Sequence, residues 1–377
     1  MNPDHVSEVF RDNFSRHDEL GASLSVWQDG REVLGLAAGF RDRQQTVPWT
    51  ADTPVLFWSA TKGLAAACVL HALQEHGIGL ERRVAEFWPD FGTAGKSGIT
   101  LGELLSHRAA LPALTTEVSV LDHDAVVRAL AHEEPHWMQG DGHGYHPRTF
   151  GFLLDEVLRQ ITGRVLQEYW RERFAQPLGL DVWIGVPPEM VEKVAAVFPT
   201  KNALPEEDLF YKAFLQAGSF TARAFGSPRG LHSVAAMNAA EARTSSFPAF
   251  GGVGTAQSMA KFYAMLACGG ALDGQRFFTA ATLAQMTTTL AQGFDRVLLI
   301  DTAFSAGFMR DPTRPDGTKE RKIFGPSPLA FGHPGAGGSH AFADPEHRLS
   351  FAYVMNQMEP GILPHAKSLR LVEAIYA

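Results

Sequence analysis

Phe57-Trp58-Ser59-Ala60-Thr61-Lys62-Gly63, running on into Leu64-Ala65-Ala66-Ala67-Cys68-Val69-Leu70-His71-Ala72-Leu73, decides how this chain is read. Small and apolar residues dominate it, no proline interrupts it and Gly77 follows it, the pattern of a buried helix opened by a serine. Residues three apart share a helix face, so Lys62 lies one turn along, beside the Ser59 hydroxyl. A serine hydroxyl is a weak nucleophile until a base takes its proton, and a lysine whose ammonium is disfavoured by burial can be that base. The helix N-terminus adds backbone N–H groups that favour negative charge developing at an attacked carbonyl. Ser-x-x-Lys also arises by chance, as a capping serine and a surface lysine. Here the flanks, Phe57-Trp58 before and Ala65-Ala66-Ala67 after, are a poor setting for a lysine without a partner or a task.

The 377 residues, 45% hydrophobic and 20% charged, suit one large or two interleaved domains with a sizeable core. A net charge of −8 does not advertise nucleic-acid binding. No apolar run approaches the roughly 20 residues that span a bilayer, so no membrane partner is expected. The N-terminal residues read as an amphipathic helix rather than an export signal. Cys68 and Cys268 fall in apolar helical patterns and read as reduced core residues. Together these features predict a cytoplasmic enzyme; they specify no oligomeric state.

Working outward, Ala22–Gln28 and Arg31–Ala37 are strand-like runs joined by Asp29-Gly30, a strong hairpin signal. Near the other end, the runs beginning at Ser339 and Arg348 flank Asp344-Pro345-Glu346-His347, a second hairpin, and Leu363 to Ala377 reads as a closing helix. Strands and helices at both termini predict one antiparallel sheet assembled from the two ends of the chain. Between them, Thr100-Leu-Gly-Glu103 is a capping box opening a helix to Ser106, Arg148 to Ile161 is a longer amphipathic helix, and Arg164 to Phe174 another. The expected organisation is a discontinuous sheet domain, 1–80 and 232–377, with a mostly helical lobe at 81–231. Phe210 to Ser246, weakly periodic and rich in small residues, reads as a long loop over a cleft.

Two further motifs sharpen the first. Gly144-Tyr145-His146-Pro147 holds a tyrosine on a loop bounded by glycine and proline, where its phenol can point into a cleft. Beside a charged lysine its pKa would fall, making the phenolate a general base. Gly332-His333-Pro334-Gly335-Ala336-Gly337-Gly338-Ser339 is a glycine-dense entry to a strand, which permits close backbone approach and can present an N–H to an oxyanion.

Ser-x-x-Lys, then Tyr, then His-x-Gly, in that order, resembles the serine hydrolases of the class C β-lactamase and DD-peptidase superfamily, and most of all their family VIII carboxylesterase branch. Phe57 to Gly63, Leu104-Leu-Ser-His-Arg-Ala-Ala-Leu-Pro112 and Gly332 to Gly338 carry the resemblance, which spans roughly residues 20 to 360. It implies an α+β, β-lactamase/DD-peptidase-like fold: an antiparallel sheet flanked by helices, an inserted all-helical lobe, and a site between them. Two departures stand out: Tyr145-His-Pro lacks the usual asparagine, and His333-Pro-Gly replaces Lys-Thr-Gly. Losing that lysine and threonine removes groups that bind a substrate carboxylate, which favours uncharged esters over β-lactams.

The resemblance implies that Ser59 attacks an ester carbonyl while Lys62 and Tyr145 share its proton, and that the amides of Ser59 and Ala336 stabilise the oxyanion. Gly335 and His333 complete the third motif, with His333 placed to hydrogen-bond Tyr145 or substrate; His107 braces the nearby loop. Phe57, Trp58, Trp137, His146, Phe331 and Gly337 lie beside the motifs and are candidates to line an apolar pocket. The expected partner is a small-molecule ester, and the reaction needs no metal or organic cofactor. A weak β-lactamase, a D-amino-acid peptidase or amidase and an acyltransferase would share these motifs, and an inactive ligand-binding relative would have no need to keep all three polar groups. His132, His136, His143 and His146 have spacings that could bind zinc, but no familiar ligand set is complete. Ala94-Gly95-Lys96-Ser97-Gly98 lacks the first glycine and the strand of a phosphate loop, and no G-x-S-x-G occurs.

Overall fold

The computed structural model describes residues 1–202, 204–205 and 208–377. Its strands are β1 (Gly21–Gln28), β2 (Arg31–Gly39), β3 (Val55–Leu56), β4 (Val182–Ile184), β5 (Gly252–Gly254), β6 (Ala271–Leu272), β7 (Gln275–Arg276), β8 (Ala291–Phe294), β9 (Asp301–Phe304), β10 (Met309–Arg310), β11 (Phe331–Pro334), β12 (His340–Asp344) and β13 (Leu349–Met355). Eight of them form one sheet in the order β2-β1-β13-β12-β11-β10-β9-β8. As the two hairpins predict, the ends of the chain meet in it: β1 pairs antiparallel with β13, Ala22 opposite Met355 and Gln28 opposite Leu349. Every residue of β13 is buried, the mark of a central strand, whereas β2 alternates exposed and half-buried residues at the edge. The Asp29-Gly30 turn puts both residues at positive φ, as a two-residue hairpin loop requires.

Helices cover the sheet. Pro3–Arg16, capped by Asn2, packs with the C-terminal helix Ala366–Tyr376, joined by Asn13 Nδ2 to the Lys367 carbonyl at 3.2 Å and by an Arg370–Asp12 ion pair. Helix Ala256–Ala267 lies against β1, β12 and β13, with Ser350 Oγ donating to the Ala260 carbonyl at 2.7 Å. Cys268 caps that helix half-exposed, outside the core position its sequence suggests, while Cys68 is buried; both are free thiols.

Thr61–Glu75 is the buried helix of the opening stretch, with every residue from Thr61 to Leu73 buried. An apolar surface all round suits a helix enclosed on all sides. Gly63 is required by that enclosure, since a Cβ there would meet the Tyr263 hydroxyl at 2.3 Å. Ser59 itself belongs to a single 3₁₀ turn, Trp58–Ala60, that leads into the helix. A small second sheet, β3-β5-β4, sets the turn in place: the Phe57 amide donates to the Gly252 carbonyl at 2.8 Å, and the Gly252 amide to Thr61 Oγ1 at 2.8 Å. One strand of that sheet, β4, comes from within residues 81–231.

The remaining helices follow their caps. Thr100 and Glu103 form the capping box of Leu101–Leu105, and Thr149–Thr162 ends at Gly163 in the left-handed conformation. The expected helix at 164–174 begins at Leu166, passes through a π turn at Arg171–Ala175 and continues to Leu178. The expected long loop at 210–246 is instead four short helices, Leu209–Leu215, Phe220–Gly226, Val234–Met237 and Ala240–Thr244. None is longer than two turns, too short to display a helical period, and the first three are started by side-chain caps from Asp208, Ser219 and Ser233.

Candidate active site

Phe57 is buried beneath the turn, and Trp58 takes a positive φ of 52° immediately before the serine. A bulky residue in that region is strained, and the turn holds it there so that Ser59 faces outward into a cavity. Lys62 Nζ lies 3.4 Å from Ser59 Oγ. It also donates to the carbonyls of Pro147, at 2.8 Å, and Ala249, at 3.0 Å. No carboxylate pairs with it among the described residues, and burial drives its pKa well below the ordinary lysine value. A neutral amine has two hydrogens and one lone pair. With both hydrogens held by the two carbonyls, the lone pair is left for the serine proton.

Tyr145 sits with its ring 4.7 Å from Lys62 Nζ and parallel to Phe304. Its hydroxyl is buried and lies beside Ser59 closely enough for the serine to hold its pKa down, but not in a geometry that completes a hydrogen bond. Burial is the larger effect and pushes the phenol well above its ordinary value, with Asp295 adding to the rise. This corrects the expectation of a depressed phenolate: burial disfavours the charged forms of Tyr145 and Lys62 alike, and at the phenol it is the dominant effect. Tyr145 rests protonated.

The loop that carries Tyr145 is held from below. Its amide donates to both oxygens of Asp295, at 3.0 and 3.1 Å, and the same buried carboxylate accepts from the amides of Val297 and Leu298 and from Thr302 Oγ1. His107, itself at positive φ, accepts the His146 amide on Nδ1 at 3.2 Å and packs on Phe150 and Phe304. His146 donates from Nδ1 to the Gly144 carbonyl at 2.7 Å and accepts the Leu111 amide on Nε2 at 2.9 Å; burial lowers its pKa to about 3. It is neutral and fully engaged within the wall, not a pocket residue.

The third motif arrives on β11. The Gly335 amide is used within the turn, donating to the Ser339 carbonyl at 2.6 Å. Ala336 lines the cavity with Ser59, and neither of their amides donates to a loop or turn carbonyl among the described residues. Gly335 has to be glycine, since a Cβ would lie 2.0 Å from the Phe57 carbonyl oxygen. That contact fits the third motif against the serine turn. His333 stands 5.9 Å from the Tyr145 ring between centroids, without a hydrogen bond to it. Its Nδ1 donates to the Pro334 carbonyl at 2.7 Å, its Nε2 is buried without a partner, and burial reinforced by Lys62 lowers its pKa to about 3.

The cavity in front of Ser59 has a volume of about 640 Å³. Of the six expected lining residues, Trp58 and Gly337 face it. Phe57 and Phe331 are buried behind it, and Trp137 lines a separate cavity of about 420 Å³ beside Arg108 and Met138. The aromatic wall comes instead from Phe210, Tyr211, Phe214, Phe225 and Phe250, most of them in the stretch expected to be loop. The four clustered histidines do not converge. His132 bonds the Arg128 carbonyl, His136 the Ala113 carbonyl and His143 Thr302 Oγ1, while His146 is engaged as above. Lys96, in the stretch with the partial phosphate-loop pattern, is buried against the Glu133 carbonyl. No described helix is long and apolar enough to cross a membrane.

Comparison with known proteins agrees with this geometry. Residues 6–374 match the family described as Beta-lactamase. The chain is 33% identical over 366 residues to the Esterase/beta-lactamase LipL of Mycobacterium tuberculosis, covering 94% of this chain and 81% of that protein. Among solved structures, a penicillin-binding protein homologue from Caulobacter crescentus superposes with a TM-score of 0.87 at 36% identity, covering 99% of this chain and 96% of that one. A family VIII carboxylesterase superposes equally well at 33% identity and the same coverage.

Proposed function

Because this chain belongs to the beta-lactamase family and is a serine hydrolase, we propose that it is a carboxylesterase that cleaves short to medium esters through an acyl-Ser59 intermediate. One observation carries the reading: the Ser59 hydroxyl stands at the floor of an aromatic cavity, 3.4 Å from a lysine amine whose hydrogens are engaged elsewhere. Lys62 takes the serine proton as Ser59 attacks the ester carbonyl, and the amides of Ser59 and Ala336 receive the oxyanion. As the tetrahedral intermediate collapses, Tyr145 protonates the departing alcohol and recovers a proton from the Lys62 ammonium. Water then enters by the reverse route, losing its proton through the same pair and releasing the acid. The apolar walls suit an alkyl or aryl acyl chain, and His333, neutral at its low pKa, supplies no fixed charge at the third motif.

Hydrolysis of p-nitrophenyl butyrate and of nitrocefin, by wild type and Ser59→Ala side by side, tests this. Ester cleavage that falls to background in the variant, with little nitrocefin turnover, is the expected result. Ester turnover in Ser59→Ala near that of wild type would sink the mechanism, and nitrocefin cleaved as fast as the ester would make the protein a β-lactamase.

A further inference from the structure

The two carbonyls that hold Lys62 belong to Pro147 and Ala249, and the residues that follow them, Arg148 and Phe250, both face the cavity. The Arg148 guanidinium lies over the Phe250 ring, 5.0 Å from its centroid. Its side chain belongs to a residue only 5% exposed, and no carboxylate pairs with it among the described residues. Glu359, the acidic residue lining the same cavity, accepts the Lys367 amide on Oε2 at 3.4 Å and makes no ion pair with Arg148, while its Oε1 is buried without a hydrogen-bond partner. Arg148 is also the N-cap of the 14-residue helix Thr149–Thr162, where the helix dipole disfavours a cation. Burial lowers its pKa only to about 10, so it stays charged at neutral pH.

The hydrogen bonds around Arg148 leave it short of acceptors. Nη2 donates to the Gly230 carbonyl at 2.6 Å, and Nη1 approaches His232 Nδ1 at 3.2 Å. The other nitrogen of that ring, Nε2, receives the Gly230 amide at 2.9 Å. Burial, Arg148 and Arg229 keep His232 neutral, and a neutral imidazole has a single acceptor nitrogen. Two donors therefore compete for one lone pair. A buried cation at a helix N-terminus, without a counter-ion and sharing an acceptor, is completed by an anion arriving from the cavity.

We propose that Arg148 is an anion-recognition point, and that the esters this enzyme handles best carry a free carboxylate. This rests on the esterase reading and replaces its uncharged substrates with charged ones: the fixed positive charge lost at His333 is supplied from the opposite motif, one residue after Pro147. Planar guanidinium suits a bidentate carboxylate, which a lysine at this place would not match.

Two matched pairs of esters test it. In one the carboxylate is on the acyl part, 4-nitrophenyl hydrogen glutarate against 4-nitrophenyl pentanoate; in the other it is on the alcohol, 3-carboxyphenyl butyrate against phenyl butyrate. We expect wild type to favour the charged member of one pair at least about tenfold in kcat/KM, and Arg148→Met to lower that ratio at least about tenfold, with Arg148→Lys between them. The pair that responds identifies which part of the substrate bears the charge. A wild-type ratio near one in both pairs, with Ser59-dependent cleavage of the neutral esters, overturns the anion site and leaves the esterase standing. An equal loss on charged and neutral esters in Arg148→Met assigns the arginine to holding the Gly230 loop and also overturns it. Titration calorimetry of wild type and Arg148→Met with pentanoate and with pentanamide decides independently of turnover, the amide reporting whether the variant keeps its pocket. Pentanoate binding weakened in the variant with pentanamide binding unchanged supports the site even if no ester is cleaved, and any other pattern overturns it.

Discussion

At the scale of single residues, the chemistry rests on which of two buried groups gives up its proton. Burial lowers the Lys62 pKa and raises that of Tyr145, so the ready base is the amine. The base works deprotonated, so activity falls as pH drops through the Lys62 pKa, and that acid limb lies well below the ordinary lysine value of 10.5. A pH profile of kcat/KM measures it directly. Because burial has already pushed His333 and His146 down to about 3, neither histidine titrates across the neutral range, and His333→Gln leaves the limb where it is. Lys62→Arg, permanently charged, is expected to cost roughly 10²–10⁴-fold in kcat. That Ser59, Lys62 and Tyr145 lie together could be read in the sequence because two sit one helical turn apart and the third stands on a loop with marked boundaries. Asp295 could not be, since it reaches Tyr145 across 150 residues of chain and its surroundings have no periodicity of their own. Nor could Arg148, which the sequence presents as the polar start of an amphipathic helix.

At the scale of elements, the fit between the third motif and the serine turn is set by backbone touching backbone. Gly335→Ala would place a methyl group 2.0 Å from the Phe57 carbonyl oxygen, and with no flexible side chain there to yield, β11 and the Ala336 amide have to shift. The variant is expected to fold and to lose roughly 10²–10³-fold in kcat, the scale of a missing oxyanion donor; a melting curve alongside the kinetics separates the two effects. An unchanged kcat would remove Ala336 from the oxyanion role. The hairpins, the capping box at Thr100 and the Gly163 stop were legible because each is written in a few adjacent residues. The four short helices between Leu209 and Thr244 were not, because their shape comes from Phe210, Phe214 and Phe225 packing on one another across two of them.

At the scale of the molecule, the two termini close the sheet together, and the C-terminal helix seals it. Leu371, Val372 and Ile375, on the buried side of that helix, are almost wholly enclosed. At about 1.5–3 kcal/mol each, they contribute together about 5–9 kcal/mol, comparable with the ~5–15 kcal/mol that holds a typical domain. Removing residues 366–377 should therefore give protein without a cooperative thermal transition; a transition close to that of the full chain would mean the helix contributes little. That the ends form one sheet could be read from the matching hairpins. That β4 crosses from the middle of the chain to steady the Ser59 turn could not, since a three-residue strand leaves no periodic trace.

The meeting of β1 and β13 also sets a timetable. A ribosome delivers Ser59 before Ala336, with 277 residues between them, so at about 5–20 residues per second the proposed nucleophile waits roughly a quarter of a minute to a minute for its proposed oxyanion partner. Only when the last strand has left the exit tunnel can the first be clasped between its neighbours. Until β11 to β13 have emerged, the Ser59 turn lacks the backbone that fits against it.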